Sequence, residues 1–293
     1  MSLLLQLLLN AIVNASIYAL LAIGFGIVYR SMRFFHIAFG AMYIIAFYVS
    51  FACVTMLGLS LYVSIVGGII FGALAGVVMD RAVYLPLIRR EASSEVLFIS
   101  SLGLYILIVN LTALLFGNEV KIISKGISPS FTFGPLIITK MQAIQFVTGW
   151  ISVILFWFFI RKNTFMKGIW AMGENPNLVI ALGLPYELMR GVVFAFSSAF
   201  AGIASVLVGL DVGQDPNVGM QALLIAAVVV IVGGVDTFWG WIGGALMLAV
   251  LQSLSVWQFS ARWNDLITFG ILILTLLFRP QGLFSPKKRK EER

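Results

Sequence analysis

Long runs without a charged residue limit most strongly what this chain can fold into. They cover the ranges 1–29, 34–79, 96–118, 141–160, 191–210, 216–235, 237–261 and 266–278. An α-helix needs about 20 apolar residues to cross a hydrocarbon core roughly 30 Å thick, and most of these runs reach or approach that length. A membrane β-barrel would show alternating segments of about 10 residues instead. The sequence therefore predicts an all-α polytopic membrane protein.

The number of crossings depends on how two runs are interpreted. The run 34–79 is long enough for two helices, and Gly58 marks a break near Leu57 to Ser60, which gives nine segments in total. The segment Gln221 to Val235 is short and ends in glycine, so it either spans or is re-entrant. The run 1–29 is too long for a signal peptide and lacks its positive start, so we expect a retained helix. Eight or nine transmembrane helices are predicted.

The distribution of basic residues predicts the orientation. Nine crossings place the two termini on opposite sides, and a cytoplasmic C-terminus puts 15 of the 19 Lys and Arg residues inside. The exceptions are Lys121, Lys125, Lys140 and Arg262. The positive-inside rule therefore predicts an outside N-terminus and a cytoplasmic C-terminus. The net charge of +7 is expected to meet anionic lipid headgroups rather than nucleic acid.

Composition and motifs argue against catalysis by this chain. Residues 1–293 form a single membrane domain in which 61% of residues are hydrophobic and 11% are charged. No glycine-rich phosphate loop is present, and no nucleophile shares a depth with the one histidine, His36, so no enzyme, cofactor or metal site is predicted. The carboxylates lie at segment ends or in loops, which disfavours a proton-driven transporter. Sodium coupling through carbonyls and hydroxyls, or a channel, stays open.

The segment 161–190 is the longest predicted cytoplasmic loop and carries signals for a short helix. Asn175 suits the N-cap, Pro176 the first helical position and Gly183 the C-terminal stop, which predicts a helix over 176–182. An apolar face is formed by three residues that lie three and four positions apart, namely Leu178, Ala181 and Leu182. Such a face outside the membrane must pack against another protein or lie on the lipid surface.

Polar residues within or beside the apolar runs are candidates for a substrate pathway. An amide, hydroxyl or broken-helix end could replace the water shell of a zwitterion, and most such groups otherwise join neighbouring helices. The candidates are Asn14, His36, Gly40, Tyr43 and Asn110. Glycines at 68, 72 and 76 form two GxxxG spacings, which predict close helix packing.

Three further motifs resemble one family. The apolar run that ends at Phe278 is followed by Arg279-Pro280-Gln281-Gly282-Leu283-Phe284, and the basic tail 279–293 continues it. The stretch 171–185 is similar to the coupling loop of ATP-binding-cassette (ABC) import permeases, and Val232-Gly233-Gly234-Val235 is similar to the paired-glycine turn between two late helices. Together they resemble the permease subunits of branched-chain amino acid ABC importers, of the LivH-like type.

The resemblance implies a fold, partners and a docking site. It implies an ABC importer permease in a bacterial cytoplasmic (inner) membrane, with a second related permease, two ATPase subunits and an extracytoplasmic solute-binding protein. ATP and Mg would bind the partner ATPases, and nothing would bind this chain as a cofactor. The residues that the resemblance assigns to ATPase coupling are Glu174, Asn175, Ala181, Leu182, Gly183, Leu184 and Pro185.

The implied cargo is leucine, isoleucine, valine or a related small amino acid, amide or urea. The segment Phe35 to Tyr43 departs from the family pattern, with His36 in place of an asparagine, so it leaves the cargo open. Whether the permease pair consists of like or unlike subunits is also open. The alternatives are a stand-alone secondary transporter or channel for a small neutral solute, and a structural scaffold without transport.

Overall fold

A computed structural model of the chain describes residues 2–123, 129–134, 136–258 and 260–285. The basic residues Lys287 to Lys290 of the predicted tail lie outside this part. Within the described ranges the α-helices are α1 (Ser2–Met32), α2 (Phe39–Thr55), α3 (Leu61–Met79), α4 (Leu85–Arg89), α5 (Ser94–Phe116), α6 (Lys140–Lys162), α7 (Thr164–Met172), α8 (Pro176–Ala181), α9 (Tyr186–Val212), α10 (Val218–Gly233), α11 (Phe238–Gln258) and α12 (Asn264–Phe278). The predicted all-helical membrane fold is confirmed.

Six helices in the described part are long and apolar enough to cross a membrane. They are Leu3–Met32, Leu61–Arg89, Ser94–Phe116, Lys140–Lys162, Tyr186–Val212 and Phe238–Gln258. Three shorter apolar helices accompany them, namely α2, α10 and α12. The predicted break in the run 34–79 is confirmed, because α2 ends at Thr55, α3 begins at Leu61 and Gly58 has a φ of 63° between them.

Helix α1 is the buried centre of the bundle. It packs against α6, α9, α10 and α11, and most of its length is enclosed. Small residues permit this, since a Cβ at Gly24 would lie 2.9 Å from the Ser197 carbonyl oxygen and one at Gly26 would lie 2.9 Å from the Trp241 ring. The neighbours can therefore approach the α1 backbone closely.

The predicted glycine spacing in α3 packs as expected. Gly68, Gly72 and Gly76 are buried, and the first two face α2, where Gly72 lies against Ala46. A Cβ at Gly76 would lie 2.9 Å from the Phe194 carbonyl oxygen of α9. Helix α3 is therefore held between α2 and α9 by backbone-to-backbone contact, while its other face is apolar and exposed.

The loop before α6 contains the only strands of the described residues. They are β1 (Ser130–Phe133) and β2 (Leu136–Thr139), which pair antiparallel. Thr139 then begins α6 with a capping box, in which its hydroxyl accepts from the Gln142 backbone and the Gln142 side chain accepts from the Thr139 backbone. The sequence predicts no strand here, because four-residue strands leave a weak alternating pattern.

Candidate functional site

The segment 161–190 forms two short helices on one end of the bundle, which we call the basic end. Helix α7 follows α6 after Asn163, whose side chain accepts a 2.9 Å hydrogen bond from the Phe165 backbone. Its inner face buries Met166, Ile169 and Met172 against the bundle. The predicted short helix is present as α8. The whole segment is therefore packed onto the ends of α1, α6 and α9.

The outer surface of this segment is apolar. Val179 points inward and is 2% exposed, whereas the exposed fraction is 54% for Ile180, 69% for Leu182 and 54% for Leu188. The residues assigned to coupling by resemblance all lie on exposed surface, namely Glu174, Asn175, Ala181, Leu182, Gly183, Leu184 and Pro185. A cluster of exposed leucine and isoleucine side chains is typical of a protein contact surface.

Arg30 connects this segment to two other parts of the basic end. Its side chain is 4% exposed, and its Nη2 donates to Glu174 Oε1 at 2.9 Å. Its Nη1 donates to Asp236 Oδ1 at 2.5 Å, and its guanidinium lies 4.5 Å from the centre of the Trp170 ring. One buried cation therefore joins the end of α1, the end of α7 and the turn between α10 and α11.

A second contact fixes the end of α7 on α1. A Cβ at Gly173 would overlap the carbonyl oxygen of Arg30, so glycine alone permits this approach. Arg33 Nε donates to the Gly173 carbonyl at 2.9 Å, and Arg33 has a φ of 56°, which is uncommon for a residue with a side chain. We call Arg30, Arg33, Gly173, Glu174 and Asp236 the Arg30 hub.

The C-terminal motif packs on the turn that carries Asp236. The Leu283 backbone N–H donates to Val232 at 2.8 Å and that of Phe284 donates to Gly233 at 3.3 Å. Gly234 has a φ of 107°, and a Cβ at Gly282 would overlap its Cα. The three motifs that the sequence analysis treated separately, the coupling loop, the paired-glycine turn and the C-terminal hexapeptide, therefore meet at one place.

Sequence reasoning missed Arg30 as the residue that joins these motifs. It was counted only as one of many inside charges. A signal was available, because Arg30 is the first charge after an uncharged run of 29 residues, and a charge at a helix end next to a packed loop needs a partner. The partners themselves, Glu174 and Asp236, lie 144 and 206 residues away and cannot be read from spacing.

His36 lies among the buried rings of Phe34, Tyr84 and Phe194. It is fully buried, and its Nδ1 forms a 3.1 Å hydrogen bond with the Tyr84 hydroxyl. Tyr84 ends a single π-helical turn, Asp80–Tyr84, that joins α3 to α4. Burial lowers the pKa of His36 to about 3, so the ring is neutral at pH 7. This places His36 in the packing between helices.

A buried ion pair lies at the start of the same π turn. Asp80 Oδ1 accepts from Arg190 Nη2 at 2.5 Å, and both side chains are 0% exposed. Arg190 also approaches Met32 Sδ at 3.3 Å. The pair joins the end of α3 to the start of α9, so α9 is tied to the bundle directly after the segment 161–190.

Gly40 and Tyr43, two of the predicted pathway residues, occupy tightly packed positions. A Cβ at Gly40 would lie 2.5 Å from the Gly219 carbonyl oxygen, so α2 and α10 touch through their backbones. The Tyr43 hydroxyl accepts a 3.0 Å hydrogen bond from Gln214 Nε2, and Gln214 also bonds to Ser205. These residues hold α2, α9 and α10 together.

The remaining two candidates face outward. Asn14 lies exposed on α1, and Asn110 lies exposed on α5, where its Nδ2 donates to the Ile106 carbonyl at 2.8 Å. An amide on an outward membrane face is costly unless it meets a partner or water. The five predicted pathway residues thus divide into three buried and two exposed ones. In the described ranges no three His, Cys, Asp or Glu side chains group as a metal site would require.

Comparison with known proteins agrees with this architecture. The family model described as "Branched-chain amino acid transport system / permease component" matches residues 7–276. BraD, a high-affinity branched-chain amino acid transport permease of Pseudomonas aeruginosa, is 29% identical over 96% of this chain and 95% of its own length. LivH of Escherichia coli K12, of the same description, is 28% identical over the same shares.

Two other likenesses are more distant. LsrC of Escherichia coli O9:H4, an autoinducer 2 import permease, is 30% identical over 44% of this chain and 41% of its own length. The solved structure of PsaBC from Streptococcus pneumoniae in complex with Fab contains a chain with a TM-score of 0.52 and 15% identity, covering 97% of this chain and 93% of that one. That likeness shows the fold. The family match over most of the chain shows that this protein belongs to the branched-chain amino acid transport permease family, as a non-catalytic, membrane-spanning component of an ABC importer.

Proposed function

We propose that this chain carries branched-chain amino acids, or a closely related small amino acid or amide, into the cell. Separate ATPases would drive this transport by docking on the segment 161–190. The Arg30 hub is the observation that supports this coupling most directly. A partner that moves the segment also moves Glu174, and Arg30 passes that displacement to α1 and Asp236. The central helix and the α10–α11 turn would then move with the docked ATPase.

The proposed partners supply the ATP binding for which the sequence of this chain has no motif. Its sequence has no nucleotide-binding loop, so ATP and Mg belong to two ATPase subunits that dock on the exposed Ile180, Leu182 and Leu188. A second related permease and a solute-binding protein complete the proposed importer. The basic end is proposed to face the cytoplasm, with the N-terminus outside, because it carries most of the arginines and lysines.

The cargo is proposed from the relatives. BraD and LivH are named for branched-chain amino acids and match nearly the full chain, whereas LsrC is named for autoinducer 2 and matches less than half of it. Asn14 and Asn110 remain the proposed pathway residues, since an outward-facing amide could meet a zwitterion between two permeases. Uptake of leucine, isoleucine, valine, other amino acids and urea by the reconstituted complex would define the range.

The test is to break the Arg30 hub without removing the docking surface. The complex with its ATPases is reconstituted in proteoliposomes, and substrate uptake and ATP hydrolysis are measured together. Charge-assisted hydrogen bonds stabilise by about 1.5–3 kcal/mol, so Arg30→Gln should lower the uptake per ATP hydrolysed by roughly tenfold or more. Glu174→Lys, and Gly183→Val at a φ of 72°, should uncouple in the same way.

The matched control is Arg90→Gln, which removes one exposed arginine from the same end outside the hub. This variant should leave the uptake per ATP hydrolysed unchanged. An unchanged ratio in Arg30→Gln and Glu174→Lys would refute the assigned coupling role. Uptake by this chain without ATPases or nucleotide would instead identify a secondary transporter or channel.

A further inference from the structure

A groove on the basic end has a chemistry that transport does not explain. It lies between the end of α6, helix α7 and the start of α11, and its volume is about 1030 Å³. Arg161 and Lys167 line it. Glu174 and Asp236 also line it, and these two carboxylates pair with Arg30 and Arg33. The groove therefore contains two basic side chains beside two carboxylates that arginines neutralise.

Two basic side chains in the groove lack a carboxylate partner among the described residues. In the described part of the chain, no carboxylate lies within salt-bridge distance of Arg161 or Lys167, whereas Glu174 and Asp236 already pair with Arg30 and Arg33. The Arg161 guanidinium lies 5.3 Å from the centre of the Trp157 ring, which orients it while leaving its N–H groups accessible. Two cations in one groove that lack a carboxylate partner among the described residues favour an anionic ligand.

Aromatic residues also line the groove and continue onto the outer face of α6. The rings of Trp157 and Trp239 are 5.7 Å apart, and Trp239 is 62% exposed. Trp157 also contacts Phe158 at 4.9 Å, and Phe158 is 46% exposed on the apolar face of α6. A ligand in the groove would thus have its charged part beside Arg161 and an apolar part along α6.

The depth of the groove matches a membrane surface. Helix α6 ends at Lys162 and α11 begins at Phe238, so the groove lies where two membrane-spanning helices end. Tryptophans concentrate at that level of a bilayer, and basic pockets between helices on the cytoplasmic side bind lipid headgroups. A soluble anion would use the cations but would leave the exposed tryptophans without a partner.

We propose that this groove binds an anionic phospholipid, with its phosphate between Arg161 and Lys167 and its acyl chains along Trp157, Trp239 and Phe158. The bound lipid would join α6, α7 and α11. It would thereby hold the segment 161–190 beside the Arg30 hub from the membrane side. This site goes beyond the proposed function and does not depend on which solute is carried.

The test measures lipid binding to the purified full-length chain by native mass spectrometry. Phosphatidylglycerol and phosphatidylcholine of equal chain length are titrated separately, and inorganic phosphate is added as a competitor. Each basic residue strengthens binding to anionic lipid by roughly fivefold. Arg161→Gln with Lys167→Gln should therefore weaken phosphatidylglycerol binding by about thirtyfold and leave phosphatidylcholine binding unchanged.

The control double variant is Arg89→Gln with Arg90→Gln, which removes two exposed charges from the same end outside the groove. It should bind phosphatidylglycerol like the wild type, and inorganic phosphate should not compete. A second variant, Trp239→Ala, should weaken binding without changing the charge. Equal binding of both lipids, an equal loss in the control variant, or displacement by inorganic phosphate would each overturn the proposal.

Discussion

The Asp80–Arg190 pair allows a quantitative prediction, because it is fully buried and structurally simple. Both side chains are 0% exposed, and the contact between them is 2.5 Å. Within the described part of the chain, Asp80 Oδ2 and Arg190 Nε have no hydrogen-bond partner. Replacing either residue alone should leave the other as an uncompensated buried charge, which costs about 3–5 kcal/mol in the free energy of unfolding.

Replacing both residues should cost much less than either single change. Apolar pairs of similar volume often match or exceed the stability of a buried ion pair, and the two unpartnered atoms here mean that few other bonds are lost. We expect Asp80→Leu and Arg190→Met each to destabilise by about 3–5 kcal/mol, and the double variant to recover most of that loss. The exposed Arg89–Glu187 pair provides the control, since Glu187→Gln should leave stability nearly unchanged.

The assay is reversible denaturation of the full chain in mixed micelles, with all four variants measured in the same detergent. A thermodynamic cycle over Asp80 and Arg190 then gives their coupling free energy. Additive losses in the double variant, or single losses below about 1 kcal/mol, would show that the pair is not a buried electrostatic contact.

Three other outcomes follow from the packing. Gly40→Ala should destabilise the protein by about 1–3 kcal/mol, because the added Cβ would meet the Gly219 backbone. Gly103 has open space around it, so Gly103→Ala should be neutral when both variants are compared by thermal unfolding. Because burial lowers the pKa of His36 from 6.5 to about 3, its contribution to stability should be complete above pH 6.5 and be lost by up to about 1.4 kcal/mol per pH unit between pH 6.5 and 3. An equal slope in a His36→Gln variant would contradict this. Asn110→Leu should impair uptake but not assembly. Normal uptake by this variant would show that Asn110 serves only in helix packing.

Most of the fold was predictable from hydrophobic run length, because membrane-spanning helices must satisfy their own backbone hydrogen bonds. The break near Gly58, the short helix at Pro176–Ala181 and the packing of Gly68, Gly72 and Gly76 all follow from local chemistry. The π turn at Asp80–Tyr84 did not follow, since its first residue pairs with Arg190, which lies 110 residues further along the chain. The hairpin before α6 was not predicted, because two four-residue strands give only a short alternating pattern.

The site was predicted less completely. The motifs at 171–185, 232–235 and 279–284 were each identified, but their meeting point depends on hydrogen bonds between distant residues such as Leu283 and Val232. Among the pathway candidates, Gly40 and Tyr43 were selected as a broken-helix end and a hydroxyl. The structure shows Gly40 against the Gly219 backbone of α10 and the Tyr43 hydroxyl bonded to Gln214 between α9 and α10. Sequence gives the type of each residue, whereas which face of a helix meets a neighbour depends on the whole bundle.

The burial of α1 has a consequence for how the protein is made. Helix α1 ends at Met32, yet three of its principal neighbours lie far along the chain, since α9 begins at Tyr186, α10 at Val218 and α11 at Phe238. Until those helices arrive, the close-packing faces at Gly24 and Gly26 must rest against lipid or an insertion factor. The close packing of the N-terminal helix therefore depends on completion of the C-terminal half.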